Sequence, residues 1–214
     1  MKKLLVIISA AIMSLSITSA SNADNFGVGV TAAFTELDTS GTQTLKDTGG
    51  TTSTSITEDV ALPEIFVEYQ MDSGVAFGLS YIPVQELGSK SRTDTDIATA
   101  TNKASAELDN LFMFYVDYPI YGSLYAKGGI QHTTIVTTEN LGTGSSYDDE
   151  DVLGYTLGLG VKGDLPYGNG LFYKAEVSYT DFDECSDSST NGEGNKVVAD
   201  TEATSVKLSV GYKF

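Results

Sequence analysis

The residues of this 214-residue chain that could do chemistry are charged side chains set inside otherwise apolar segments. In several such segments, bulky apolar residues occupy every second position, and the charges fall on the positions between them. A period of two places those charges on the opposite face of a strand from the apolar side chains. Charges inside a folded protein must be paired and hydrogen-bonded to be tolerated. We therefore predict an interior network of ion pairs formed by Glu64, Glu68, Asp117, Lys127, Lys162, Lys174, Glu176 and Lys207.

This predicted network permits two interpretations. Either fixed ion pairs hold the interior closed and rigid, or the pairs exchange partners and line a narrow gated conduit. We favour the closed arrangement. Lys213 falls on the same predicted face, so five lysines would stand against four carboxylates.

Evidence for catalysis is poor. His132 is the single histidine and Cys185 the single cysteine, and no serine or cysteine stands in a recognisable nucleophile motif. Acidic residues are dense at 147–151 and 181–202, which is typical of solvated segments that repel one another. Carboxylates could also bind calcium, but the spacing is not that of an EF-hand loop. We expect no enzyme activity, no cofactor and no metal site.

The elements that must position the interior charges are β-strands. Period-two alternation rich in Val, Tyr, Phe and Thr recurs eight times, and no segment after the N-terminal one has convincing helical spacing. Most strands are about as long as a tilted strand needs to be to cross a bilayer. The predicted strands are residues 25–36, 60–70, 75–83, 108–118, 123–137, 152–163, 171–182 and 203–214.

The connections between these strands alternate in length. Three are short and carry Gly or Pro turn chemistry, at residues 71–74, 119–122 and 164–170. Four are long, at residues 37–59, 84–107, 138–151 and 183–202. This rhythm is typical of an up-and-down barrel in an outer membrane, with short periplasmic turns and long external loops.

The N-terminal segment indicates export. Met1, Lys2 and Lys3 form a basic start, an apolar run follows, and Ser21 to Ala23 offers small residues for a signal peptidase. We predict a signal peptide at residues 1–23, with cleavage after Ala20 as the alternative, the general secretory pathway, and a single barrel domain at 24–214. Removing this signal leaves ten basic residues against 29 acidic ones. Such an acidic chain is not expected to bind nucleic acid.

Side-chain volumes indicate which face of each strand points outward. The apolar faces carry Phe, Tyr and Leu, whereas the opposite faces carry mainly Gly, Ala, Ser and Thr with some charges. The interior of an eight-stranded barrel is only wide enough to be filled by side chains. Bulky residues therefore suit a lipid-facing exterior. A soluble, lipocalin-like periplasmic barrel that binds a ligand is the alternative, with the faces reversed.

The last strand carries a recognisable pattern. Apolar residues at every second position end in a terminal phenylalanine, and the segment resembles the C-terminal signature of Gram-negative outer-membrane barrels. In those proteins the barrel-assembly machinery reads this signature. Here the matching residues are Val206, Leu208, Val210, Tyr212 and Phe214.

The whole chain is similar to small outer-membrane β-barrel proteins of the OmpA-like, OmpX/Ail and opacity-protein type. The resemblance implies an all-β, eight-stranded antiparallel up-and-down transmembrane barrel in the cell outer membrane. Its expected partners are outer-membrane lipid, lipopolysaccharide and the assembly machinery, with the extracellular partner unknown. We expect an envelope-structural or surface-exposed interaction protein acting through its long acidic loops, and a porin-like narrow channel is the alternative. Ordered strands above the membrane would favour recognition.

Overall fold

The computed structural model describes residues 25–46, 48–93, 101–140, 147–166, 169–189 and 195–214. The predicted signal peptide, residues 1–23, lies outside this range. No helix in the described part of the chain has the length and apolar character needed to span a membrane.

The described residues form ten β-strands, and each paired strand runs antiparallel to its neighbour. Their bounds are β1 Phe26–Thr44, β2 Thr51–Gln70, β3 Ala76–Ile82, β4 Gln85–Thr93, β5 Thr101–Tyr121, β6 Leu124–Asn140, β7 Glu150–Asp164, β8 Leu171–Phe182, β9 Cys185–Ser188 and β10 Lys196–Lys213.

These strands close into one ring of eight. The order around the sheet is β1, β2, β3, β5, β6, β7, β8 and β10, and β10 pairs back onto β1. Both β3 and β4 pair with β5, while β8 and β9 both pair with β10, so β4 continues the line of β3 and β9 that of β8 after a break. The predicted fold class, an antiparallel eight-stranded up-and-down barrel, is confirmed.

The prediction of long loops was wrong in its bounds, because most of those residues are paired strand. The ladder between β1 and β2 continues without a break to the pair Thr44 and Thr51. Strands β4, β5, β9 and β10 extend similarly into segments predicted as loops. Threonine and serine are frequent there, and threonine favours extended backbone. In water neither face needs apolar side chains, so the alternation that reveals a strand is lost.

The predicted orientation of the faces is correct. The bulky apolar side chains point outward along every strand of the ring, and Leu157 on β7 is 72% exposed. Above this belt the outward face of β1 turns polar, because Phe34 is followed at alternate positions by Glu36 and Asp38, both exposed. A band of exposed apolar side chains with polar residues beyond it is what a lipid-facing surface requires.

The interior holds larger side chains than expected. Phe66, Met113, Tyr115, Tyr125 and Phe172 all point inward and are buried. Interior glycines make room for them: a Cβ on Gly78 would lie 2.1 Å from the Tyr115 ring, and one on Gly160 would lie 2.4 Å from the Tyr125 ring. Small and large residues therefore alternate across facing strands, and the barrel is filled rather than hollow at this level.

A β-bulge in β5 changes which residues face inward. Asn110 has a left-handed backbone with φ of 51°, and the register with β6 shifts between Asp109 and Phe112. The Tyr81 hydroxyl donates a hydrogen bond to Asn110 Oδ1 at 2.5 Å. On the C-terminal side of the bulge the odd-numbered residues of β5 face inward. On its N-terminal side the even-numbered residues do, beginning with Leu108. Bulges commonly re-aim side chains in this way.

Candidate functional site

A buried lysine stands at the centre of the lumen charges. Lys174 Nζ on β8 lies 2.9 Å from Glu68 Oε2 on β2 and 2.5 Å from Asp117 Oδ2 on β5. Its ammonium also lies over the rings of Tyr115 and Tyr125, 5.1 and 5.2 Å from their centroids. Asp117 is fully buried. One cation thus joins strands from three different parts of the ring.

A second lysine extends this group. Lys127 Nζ on β6 lies 2.7 Å from Glu176 Oε2 and 3.8 Å from Asp117 Oδ1. It also sits 4.1 Å from the centroid of the Tyr115 ring, a distance at which a cation–π interaction is favourable. The Tyr125 hydroxyl donates to Glu176 Oε2 at 2.8 Å. Tyr115 and Tyr125 therefore belong to the charge cluster.

The Tyr115 hydroxyl makes one further bond, to Glu68 Oε2 at 3.2 Å. Both tyrosines face inward and are buried, and sequence reasoning did not assign them a part in the network. Each tyrosine stands two positions before a predicted lumen charge on the same face of its strand, Tyr115 before Asp117 and Tyr125 before Lys127, and this was the available signal.

The remaining predicted lumen charges occupy separate places. Lys207 Nζ on β10 contacts Glu64 Oε2 at 2.9 Å, forming its own pair. Lys162 Nζ is buried and has no hydrogen-bond partner among the described residues. Lys213 lies outside the cluster and pairs with the exposed Asp164 at 3.5 Å. Without Lys213, the interior holds four carboxylates and four ammonium groups, so its formal charges balance.

Neutral hydrogen bonds lie towards the external side of the charges. Gln131 Nε2 donates to the hydroxyls of Thr156 and Thr180, at 2.9 and 2.8 Å, and these two hydroxyls are 2.8 Å apart. On the β1–β10 seam, Thr35 and Ser205 share a hydroxyl–hydroxyl bond of 2.8 Å. These groups, which we call the hydroxyl layer, satisfy one another within the lumen.

A buried apolar group fills the adjoining part of the interior, formed by Ala33, Leu62, Ile82, Leu108, Leu111, Met113 and Tyr115. Together with the charge cluster and the hydroxyl layer it occupies the lumen with side chains. Buried ion pairs of this kind hold strands in place geometrically, whereas removing one partner leaves an uncompensated charge. The arrangement is suited to holding the strands of a barrel together.

The single histidine lies on the outer face of the barrel. His132 is exposed on β6, between its register partners Phe112 and Leu153. Within the described ranges there is no group of three or more His, Cys, Asp or Glu side chains that could hold a metal ion.

The predicted assembly signal on β10 also faces outward. Val206, Leu208, Val210 and Tyr212 are exposed along the belt, and the Phe214 ring packs edge-on against the Tyr212 ring at 5.3 Å.

A closed ring of eight strands, an apolar outer belt and a charged, filled lumen together define an integral outer-membrane β-barrel protein. The chain belongs to the outer membrane protein beta-barrel domain family, whose model matches residues 5–214. The protein is accordingly a component of the bacterial outer membrane. No curated protein sequence matches the chain.

Solved structures share this fold at low sequence identity. The chain is similar to the outer membrane protein OprG from Pseudomonas aeruginosa, with 13% identity, a TM-score of 0.55, and coverage of 90% of this chain and 98% of that one. It is also similar to the outer membrane protein AlkL, with 15% identity, a TM-score of 0.53, and coverage of 92% and 95%. Neisserial surface protein A aligns with 13% identity, a TM-score of 0.41, and coverage of 88% and 97%.

Proposed function

We propose that the protein is a closed surface barrel whose lumen is sealed by ion pairs and whose external part makes interactions outside the cell. The observation that carries closure is the charge cluster, in which Lys174 and Lys127 bridge carboxylates on β2, β5 and β8. The rings of Tyr115 and Tyr125 fill the space beside them. A diffusing solute would have to displace these buried pairs.

The part of the barrel wall that continues beyond the apolar belt supports an interaction role. From Thr35 to Thr44, β1 continues above the apolar belt while paired on both sides, with β2 and with β10. At roughly 3.4 Å per residue and a tilt of about 40°, this adds about 25 Å of ordered wall above the membrane. An ordered wall presents a fixed surface, and function commonly resides in segments held by such a rigid scaffold.

Closure is tested by electrical recording. The purified, refolded protein in planar bilayers should show no stable unitary conductance in concentrated KCl. Stable, multi-ion openings would overturn the proposal and favour the narrow porin-like channel. An open porin reconstituted in the same bilayers is the positive control.

The interaction role is tested by shortening the β1–β2 hairpin. Deleting residues 41–54 and joining Ser40 to Ser55, which are register partners, through an Asn-Gly turn keeps the remaining ladder in register. The control keeps the ladder and replaces only residues 46–49. Cells that express the shortened-hairpin variant should lose adhesion to epithelial cells or sensitivity to a surface-binding phage. Cells that express the control variant should keep both. Unchanged interactions combined with increased detergent sensitivity of the envelope would instead support a structural role.

We also propose how the chain reaches and enters the membrane. Residues 1–23 act as a signal peptide for the general secretory pathway, and residues 24–214 form the mature barrel domain. Val206, Leu208, Val210, Tyr212 and Phe214 present the pattern that the barrel-assembly machinery recognises. Val206, Leu208, Val210 and Tyr212 are exposed on the outward face of β10, which supports this, since an assembly factor could read them before the ring closes.

Two further proposals concern partners and catalysis. Lipopolysaccharide is the expected lipid around the upper belt, alongside the membrane lipids that the family implies. We propose that the protein has no enzyme activity, no cofactor and no metal, since His132 faces outward between apolar neighbours. Hydrolysis of a peptide or phospholipid substrate that is lost in His132→Ala would contradict this.

A further inference from the structure

An apolar cavity of about 500 Å³ lies in the external part of the barrel. Thr133, Leu108 and Val152 are buried in its wall, and Gln131 of the hydroxyl layer is the next inward-facing residue below Thr133 on β6. The cavity is therefore separated from the charge cluster by bonded polar groups. Its volume is that of sites which hold small organic molecules.

The β5 bulge builds one wall of this cavity. Because the bulge reverses which residues face inward, Ala104, Ala106 and Leu108 line the space. Phe182 at the end of β8 lines another side, with Ile135 on β6. The alanines leave volume unfilled where larger side chains would close it, and an unfilled apolar space loses the packing contacts that a ligand could restore.

The charged side chains that line the cavity are all acidic. Four carboxylates line it, from Asp148, Glu150, Asp183 and Asp187, and no Lys, Arg or His stands among the described lining residues. Asp148 and Asp183 are exposed, so this acidic group lies where the cavity meets water. The backbone N–H of Asp148 donates to Asp187 Oδ2 at 2.8 Å, which links two of the four residues directly.

One polar atom in the wall has unused bonding capacity. Thr137 Oγ1 is buried and has no hydrogen-bond partner in the described part of the chain, and Thr137 lines the cavity. Buried hydroxyls are normally bonded, so an unbonded one in a cavity wall is suited to meeting a ligand.

We propose that this external cavity binds a small hydrophobic organic cation, with its apolar body among the alanines and Phe182 and its ammonium group towards Asp148, Glu150, Asp183 and Asp187. The inference rests on the proposed function, since it names the ligand class taken up by the external part of the barrel. An organic anion of similar size would meet four like charges. A neutral apolar molecule would leave the acidic group without a counter-charge.

Cys185 makes the proposal directly testable. It is the single cysteine of the chain, it lines the cavity, and it is partly exposed. The protein is refolded into phosphatidylcholine nanodiscs, and the rate of Cys185 alkylation is measured with and without each probe. The probes are benzyltriethylammonium, 4-tert-butylbenzenesulfonate, 4-tert-butylbenzyl alcohol and tetramethylammonium.

Benzyltriethylammonium should slow alkylation in a saturable way, and the sulfonate and tetramethylammonium should leave the rate unchanged. The alcohol should protect more weakly than the ammonium compound. Equal protection by the sulfonate would overturn the charge argument, and absence of protection by every probe would overturn the site. Direct titration of benzyltriethylammonium by calorimetry serves as the second readout.

Variants locate the binding. Glu150→Gln with Asp183→Asn should weaken benzyltriethylammonium binding by about tenfold, since each removes a nearby opposite charge at the water boundary, while Glu36→Gln on the outer face of β1 should not. Ala199→Trp should fill the cavity and abolish protection, with the outward-facing Ala32→Trp as its control. The ratio of rates with and without probe is compared within each variant, because the two carboxylates also affect the thiol.

Undiminished binding in the double variant and in Ala199→Trp would overturn the proposed site. Calorimetry on the double variant decides the question if the tryptophan variant fails to fold. Bilayer recordings on the same preparation separate the two proposals. A silent barrel that binds no probe refutes this inference alone, whereas stable unitary conductance refutes the closed lumen whatever the probes do.

Discussion

Replacing Lys174 with methionine is expected to destabilise the barrel by about 3–5 kcal/mol, the range for breaking a buried ion pair by removing one partner. Methionine keeps much of the length and apolar stem of lysine while removing the ammonium. That ammonium lies 2.9 Å from Glu68 Oε2 and 2.5 Å from Asp117 Oδ2, and both carboxylates are buried. Asp117 keeps Lys127 at 3.8 Å, whereas among the described residues Glu68 keeps only the hydroxyl of Tyr115 as a direct partner.

The assay is reversible unfolding in urea from phospholipid vesicles, followed by circular dichroism because the chain has no tryptophan. Lys162→Met is the matched control. Its ammonium is also buried but has no hydrogen-bond partner in the described ranges, so this change should cost less than about 1 kcal/mol. Adding Glu68→Gln to Lys174→Met should recover at least about 1 kcal/mol, because the uncompensated carboxylate is then neutral.

A loss below about 1 kcal/mol in Lys174→Met would refute this reasoning, since that is the size of an exposed ion pair. Equal losses in the two lysine variants would refute it as well. The absence of any recovery in the double variant would show that Glu68 is not the group left uncompensated.

Three further outcomes are expected. Gly78→Ala should destabilise the barrel by about 1–3 kcal/mol in the same urea assay, because its methyl group would overlap the tyrosine ring it faces, whereas the outward-facing Gly128→Ala, with open space around it, should be neutral. Leu208→Arg in the apolar belt should cost about 2–4 kcal/mol and reduce heat-modifiable folded protein on gels, whereas Ser40→Arg above the belt should do neither. Burial and two neighbouring carboxylates raise the pKa of Cys185, so less of its thiol is ionised at mildly alkaline pH, and it should alkylate more slowly than free cysteine; an equal rate would contradict this.

The membrane-facing part of the fold could be predicted because lipid imposes a strict rule. Each outward position in the belt must be apolar, so a period of two survives in segments such as β7 and β10. The same rule identified the inward charges, since Glu68 and Lys174 are conspicuous between apolar neighbours. The partners within the lumen could not be predicted. They depend on how far each strand is displaced along the next one, and no local pattern records that displacement.

The external part of the barrel escaped prediction for a related reason. In water a strand can be polar on both faces, as at Thr42 and Ser53, whose hydroxyls bond across the ladder at 3.1 Å. The bulge at Asn110 was also hidden, although asparagine tolerates a left-handed backbone better than most residues. This one residue reverses which positions of β5 face inward on the external side of the bulge. Alanines rather than polar side chains therefore line the external cavity.

The seam between β1 and β10 constrains how the molecule can be made. Thr31 and Ser209 bond across it although 178 positions separate them in the chain, and the seam is paired from Gly27 to Thr44. Until the final strand has been synthesised and delivered, β1 has an unsatisfied edge that any other extended segment could occupy. Contacts of such long sequence separation form slowly. The nascent chain must therefore be kept from self-association during transit, and insertion and ring closure are expected to be coupled in the last step of biogenesis.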